Sequence, residues 1–267
     1  SSYVMLVYAT HTLSNTIELV LTALLLYYAS YSMAHSASLP PHSLNHCIKI
    51  ATITVIGIFN RPTFIAFAFI PIFFWLQRGL GSKSVGFGHF HVRIFTFIAC
   101  GIPTTIFFIY LTMAEIGNLD INMNNFVVTP LNFLRYNSNT KNLQDHGLHP
   151  HYLHFIVNVP LLYNVLGIIG LFTFGKMLYS LMTTSFIIPI MLLSIFPHQE
   201  PRFIIPTLLP LTFLYAPNIN QTSGVDTITR IAGNNILWFI CNIVLTFFYG
   251  FAHQGGVLPL SSHIANE

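Results

Sequence analysis

Long apolar runs alternate along the chain with short polar islands. The runs fall at 16–34, 48–59, 62–77, 94–112, 157–175, 177–196, 203–217 and 233–250, after a short one at 3–9. Segments of this kind predict helices, because a bilayer interior requires every backbone N–H and C=O to be paired within the segment. Several are shorter than the ~20 residues that cross a hydrocarbon core upright, so broken or half-depth helices are expected. The longest polar interruption, 114–156, predicts a loop. The pattern as a whole predicts a single all-α polytopic membrane domain over 1–267, a helical bundle with short or broken helices.

Composition removes the competing classes. Hydrophobic residues make up 54% of the 267, charged residues 6%, and the mean hydropathy is +0.67. A water-facing globule carries about a quarter Asp, Glu, Lys and Arg, so a soluble enzyme is excluded. Aromatics at 15% exclude a disordered chain. The net charge of +3 comes without a basic run of five or six residues, so the expected surroundings are membrane lipids and not nucleic acid. Cys47, Cys100 and Cys241 lie far apart in apolar sequence, which suggests neither a disulfide framework nor a cysteine metal site. No charged region precedes the opening SSYVMLVYA, so the chain is expected to lack a signal peptide and to be cut from a longer one.

Charge gives the spans a direction. When eight spans alternate, Lys49, Arg78, Lys83, Arg93, Lys176 and Arg230 fall on one side, and Arg61, Arg135, Lys141 and Arg202 on the other. The first side is expected to be cytosolic. The opposite side collects the compact polar motifs HTLSNTIE (11–18), NRPT (60–63), TPLNFLRYN through HGLHPHYLH (129–154), HQEPRF (198–203) and HQGG (253–256). Any chemistry belongs on that face.

Each motif supports a structural and a chemical reading. In HQEPRF, Pro201 suits the first turn of a following helix. Arg202 would either snorkel to headgroups or, beside a helix N-terminus, bind a phosphate with His198 and Glu200 nearby. Asn15 and Glu18 have the spacing of a capping box, with a ligand role open beside it. Pro62 explains a turn in NRPT but does not explain Arg61, a permanent charge near membrane depth that calls for an anionic partner unless it snorkels. His146, His149, His151 and His154 crowd one loop. No carboxylate joins them at zinc-site spacing and Pro150 breaks any aligning helix, so a metal is not expected; sugar hydroxyls, lipid phosphate or an interfacial belt are the readings left open. Glu18, Glu115, Asp120, Asp145 and Glu200 are the carboxylates on this side, and spacing does not select a base among them. The sequon at Asn220 falls on the cytosolic side and is expected to be silent.

HQEPRF followed by IIPTLLPL resembles the signature of the lipid-phosphate-mannose-dependent mannosyltransferases of the endoplasmic reticulum. SNTIE, NRPTF, TPLNFLRYN, HGLHP and HQGG accompany it in family order. The HGLHP and HQGG forms are similar to the branch that adds the fourth mannose to the glycosylphosphatidylinositol (GPI) anchor precursor. The resemblance implies a C-type glycosyltransferase of the endoplasmic reticulum membrane with its active face in the lumen. It would move mannose from dolichyl phosphate mannose to the third mannose of the GPI glycolipid precursor in α1,2 linkage, with no metal or other cofactor. It also implies substrate-binding roles for Asn15, Glu18, Arg61, His149, His198, Glu200 and Arg202, with Pro62, Pro150 and Phe203 in the same motifs.

The chain departs from that family pattern in several places. The acidic first lumenal loop, which resembles the source of the catalytic carboxylate, has no counterpart and would precede Ser1; Glu200 is the fallback. His151 stands where the broader family has Trp, and Gln199 where Lys is common. From residues alone, a transporter or lipid-binding membrane protein for an anionic ligand is the alternative, since broken helices and intramembrane Arg suit it.

Overall fold

A computed structural model describes residues 3–7, 14–35, 44–79, 87–115, 128–137, 149–173, 180–220, 236 and 238–252. Among these the secondary structure is helical throughout, in an all-α multi-pass membrane protein. The helices are α1 (Tyr3–Val7), α2 (Ser14–Ala34), α3 (Leu44–Asn60), α4 (Ile65–Gln77), α5 (Phe87–Glu115) and α6 (Thr129–Asn137). They continue with α7 (Val159–Thr173), α8 (Leu181–Leu193), α9 (Leu208–Asn220) and α10 (Trp238–Gly250). Three stretches are long and apolar enough to cross a bilayer: Ser14–Ala34, Gly88–Ala114 and His154–Phe172.

The breaks between helices have local causes. Pro62 opens a 3₁₀ turn, Pro62–Phe64, that leads into α4, and Pro201 opens a longer one, Pro201–Thr207, that leads into α9. In both, proline's missing N–H falls where a helix start has no use for it. A π-helical turn, His154–Asn158, precedes α7, which is itself kinked at Asn164, a residue with φ of 52°. Among its described residues, the segment 114–156 read as loop includes the helix α6: Thr129-Pro130 is a good start, and Arg135 in the last turn favours the helix end.

Packing rather than water expulsion sorts the residues, because lipid tails are as apolar as leucine. The core gathers α2, α4 and α8 around Leu25, Phe64, Phe67, Trp75, Phe186 and Ile190, all nearly inaccessible. On α5, by contrast, Val92, Phe95, Ile98, Ile102 and Ile106 are exposed at helical spacing, so this helix presents an apolar stripe to lipid. The polar side chains Asn15, Glu18 and Thr22 on α2 are turned inward instead. α2 packs against α3, α4 and the 201–207 turn, and this contact brings the beginning of the chain to the HQEPRF motif.

Candidate functional site

Two polar half-sites meet where α2, the 60–64 turn and the 198–207 segment converge. The first is built on Glu18, one turn into α2 and 1% exposed. Asn15 Nδ2 donates to its Oε2 at 3.0 Å, and the Thr63 hydroxyl donates to Oε1 at 3.2 Å. Arg61 Nη1 lies 3.9 Å from the same carboxylate. Asn60 Nδ2 donates to the Ser14 carbonyl at 3.0 Å, tying the turn after α3 to the start of α2. The capping box is not formed: Asn15 lies within α2 and gives its side-chain amide to Glu18, whose carboxylate is held by Thr63 and Arg61. A carboxylate this deep requires such partners.

The second half-site is built on Glu200, in the extended segment just before the 201–207 turn. Its Oε2 pairs with Arg202 Nε, and its Oε1 accepts from His198 Nε2 at 3.0 Å. Partial burial alone would raise the Glu200 pKa; the bond and charge of Arg202, then those of His198, outweigh it and hold the carboxyl below the usual range. Glu200 is therefore an ionised anchor for two donors and a weak base.

Phe203 joins the halves. The Arg61 guanidinium carbon sits 4.7 Å from the Phe203 ring centroid and that of Arg202 6.0 Å, so two arginines distant in sequence share one ring. His198 meets the same ring edge-on, with centroids 5.6 Å apart, and the His149 ring lies 6.0 Å from that of His198. Every sequence-derived binding residue thus lies in one cluster: Asn15, Glu18 and Arg61 on one side, His149, His198, Glu200 and Arg202 on the other.

Gln199 is the residue that residue-type reasoning undervalued. It is 1% exposed; its Oε1 accepts from the His154 N–H at 3.1 Å, and its Nε2 donates to the carbonyls of Ser194 and Phe196, each at 3.2 Å. Its own N–H donates to His149 Nδ1 at 3.4 Å, while the His149 N–H donates to the Pro197 carbonyl at 2.7 Å. Because Nδ1 accepts, the His149 proton sits on Nε2. The only sequence signal was its place inside HQEPRF. Thr63 was equally hidden within NRPT.

The other histidines diverge. His151 Nδ1 donates to the Ser194 carbonyl at 2.7 Å, and His154, fully buried, accepts at Nδ1 from Asn158 Nδ2 at 2.9 Å. Among the described residues no three His, Cys, Asp or Glu side chains stand together at metal-binding distance. His146 and the HQGG motif at 253–256 lie outside the described residues, as do Asp120 and Asp145.

The comparisons with known proteins identify the family. The model of the Alg9-like mannosyltransferase family matches residues 1–266. Among curated proteins, GPI mannosyltransferase 4 of Drosophila melanogaster is 32% identical over all of this chain and 49% of its own length. GPI mannosyltransferase 4 of Saccharomyces cerevisiae is 34% identical, covering 97% of this chain and 47% of the relative. Human GPI alpha-1,2-mannosyltransferase 4 is 32% identical, again over 97% and 47%. The chain spans about half the length of the curated relatives it matches. No solved structure matches it. With the family model aligned from the first residue to the penultimate one, across both half-sites, the chain belongs to the Alg9-like mannosyltransferase family.

Proposed function

We propose that this chain forms the donor-binding part of an α1,2-mannosyltransferase that moves mannose from dolichyl phosphate mannose to the third mannose of the GPI anchor precursor. The enzyme is multi-pass in the endoplasmic reticulum membrane, with the Glu18–Glu200 cluster on the lumenal face. The observation that carries the reading is the convergence of Arg61 and Arg202 on Phe203. Two guanidinium groups over one apolar platform suit a phosphate at the membrane surface, bound through forked N–H donors.

In the transfer, the acceptor 2-hydroxyl oxygen attacks the anomeric carbon from the face opposite the phosphate, and the bond from that carbon to the phosphate oxygen breaks. The electron pair leaves on dolichyl phosphate, whose growing charge Arg61 and Arg202 stabilise. His149, with its proton on Nε2, supplies a further donor beside His198, whose Nε2 is held by Glu200. This reading calls on no metal, since the arginines carry the positive charge. The acceptor proton goes to a carboxylate, and Glu200, ionised and shared by two donors, is poorly suited to take it. The family resemblance assigns that step to an acidic loop preceding the segment described. The relatives are GPI mannosyltransferases, which supports the acceptor and speaks against the transporter alternative.

The experiment is a transfer assay on the full-length protein with dolichyl phosphate mannose and GPI glycolipids ending in two or three mannoses. Mannose added only to the three-mannose acceptor, and removable by an α1,2-specific mannosidase, is the expected result. Transfer to neither acceptor contradicts the proposal.

A further inference from the structure

The end of the bundle remote from the Glu18 cluster has a chemistry that mannose transfer does not use. On α2, Tyr28 and Tyr31 lie 10 and 13 residues beyond Glu18, roughly 15–20 Å further along the helix axis. Lys49 Nζ sits 5.2 Å from the Tyr28 ring centroid, and the His46 ring stacks on Tyr31 at 5.6 Å. The Arg78 guanidinium covers the Trp75 ring at 4.3 Å and donates to the Trp75 carbonyl at 2.7 Å. Arg93 Nη1 donates to the carbonyls of Leu76 and Arg78 at 2.8 and 2.6 Å. Burial, and after it the Arg93 charge, pull Arg78 down to about 10, so it stays a cation near neutrality. His46 lies within electrostatic reach of both Lys49 and Arg78.

Two further observations point to a ligand. Trp75 Nε1 and His46 Nδ1 are buried without a hydrogen-bond partner, and Trp75 is 1% exposed, so an N–H donor is left unmatched beneath the arginine. An apolar groove of about 600 Å³ runs from this end between α3 and α5, lined among others by Leu44, Ile48, Phe95, Thr96, Ala99 and Cys100. Arg93 precedes Thr96 and Cys100 by three and seven residues and so shares their face of α5. Leu44 and Ile48, one turn apart, share the face of α3 that lines the groove, and Lys49 directly follows Ile48.

We propose that this end binds an anionic phospholipid, with its phosphate among Lys49, Arg78 and Arg93 and an acyl chain in the α3/α5 groove. A free phosphate would leave the groove empty. A zwitterionic headgroup has no net negative charge to offer a cluster that holds three cations. The site is separate from the proposed donor site and does not depend on it.

The test is lipid retention by the full-length protein in detergent, read by native mass spectrometry with phosphatidylserine, phosphatidylcholine of the same acyl chains, or inorganic phosphate. Phosphatidylserine is expected to be retained about tenfold more strongly than phosphatidylcholine, a difference of about 1.4 kcal/mol. Lys49→Gln with Arg78→Gln should remove that preference. Lys49→Gln alone, an exposed and fold-tolerant change, should lower it severalfold. Ala99→Trp, which fills the groove, should weaken phosphatidylserine retention and leave any phosphate adducts unchanged. Equal retention of the two lipids would overturn the proposal, as would a Lys49→Gln protein with unaltered preference. Phosphate adducts that displace phosphatidylserine, with no effect of Ala99→Trp, would reduce the site to an ion site and overturn it too.

Discussion

Gln199 shows how much of the site rests on a side chain with no charge. Its amide and its N–H connect the 149–154 segment to the turn after α8, and that turn presents His198 and Glu200. Gln199→Ala leaves the His154 N–H and the Phe196 carbonyl without their side-chain partner, while the Ser194 carbonyl keeps His151, so it is expected to lower stability by about 1–3 kcal/mol. It should also lower mannose transfer by at least about tenfold through misplacement of His198, with little change at the Glu18 half-site. Thermal unfolding and a transfer assay on one preparation separate the two effects. Residue types were legible in the sequence: Arg61, Arg202, His198 and Glu200 stood out because charge is scarce in an apolar chain. What Gln199 and Thr63 do was not legible, since an uncharged hydrogen-bonding group gains its role only from the neighbours that folding brings to it.

At the scale of elements, proline placement and apolar run length announced helices shorter than a bilayer, and the 3₁₀ turns at Pro62 and Pro201 occupy two of those interruptions. Helix α6 was missed, since a nine-residue polar helix has little periodicity to read within a long hydrophilic segment. The α3–α4 hairpin is closed by a close approach: Phe64 packs directly on Gly57, where a Cβ would run into its ring. Gly57→Ala must push Phe64 out of the core and is expected to cost about 1–3 kcal/mol. Because Arg61 and Thr63 ride on that turn, donor affinity should fall with it. A Gly57→Ala protein with unchanged thermal stability in detergent would show that the hairpin can open without loss.

Across the whole molecule, segregation of polar motifs from basic loops was readable from the chain, but the meeting of residues 15–18, 61–63 and 198–203 was not, because it depends on α2 packing against the 201–207 turn. The assigned sidedness can be checked by glycosylation in microsomes: a sequon engineered into 138–145 should be modified, and the native Asn220 should not. Modification of Asn220 would place the Glu18 cluster on the wrong side of the membrane for a lumenal transferase. The central claim is that Arg61 and Arg202, 141 residues apart, act on one donor phosphate. Its most direct test is a double-mutant cycle in the full-length protein, comparing kcat/KM for dolichyl phosphate mannose in Arg61→Lys, Arg202→Lys and the pair. Lysine keeps the charge that Glu18 and Glu200 need while removing the fork. Each single change is expected to lower kcat/KM by about 10-fold or more, and the pair by clearly less than the product of the two, as residues sharing one ligand do. Single variants with wild-type kcat/KM, or two losses that simply multiply, would contradict the account.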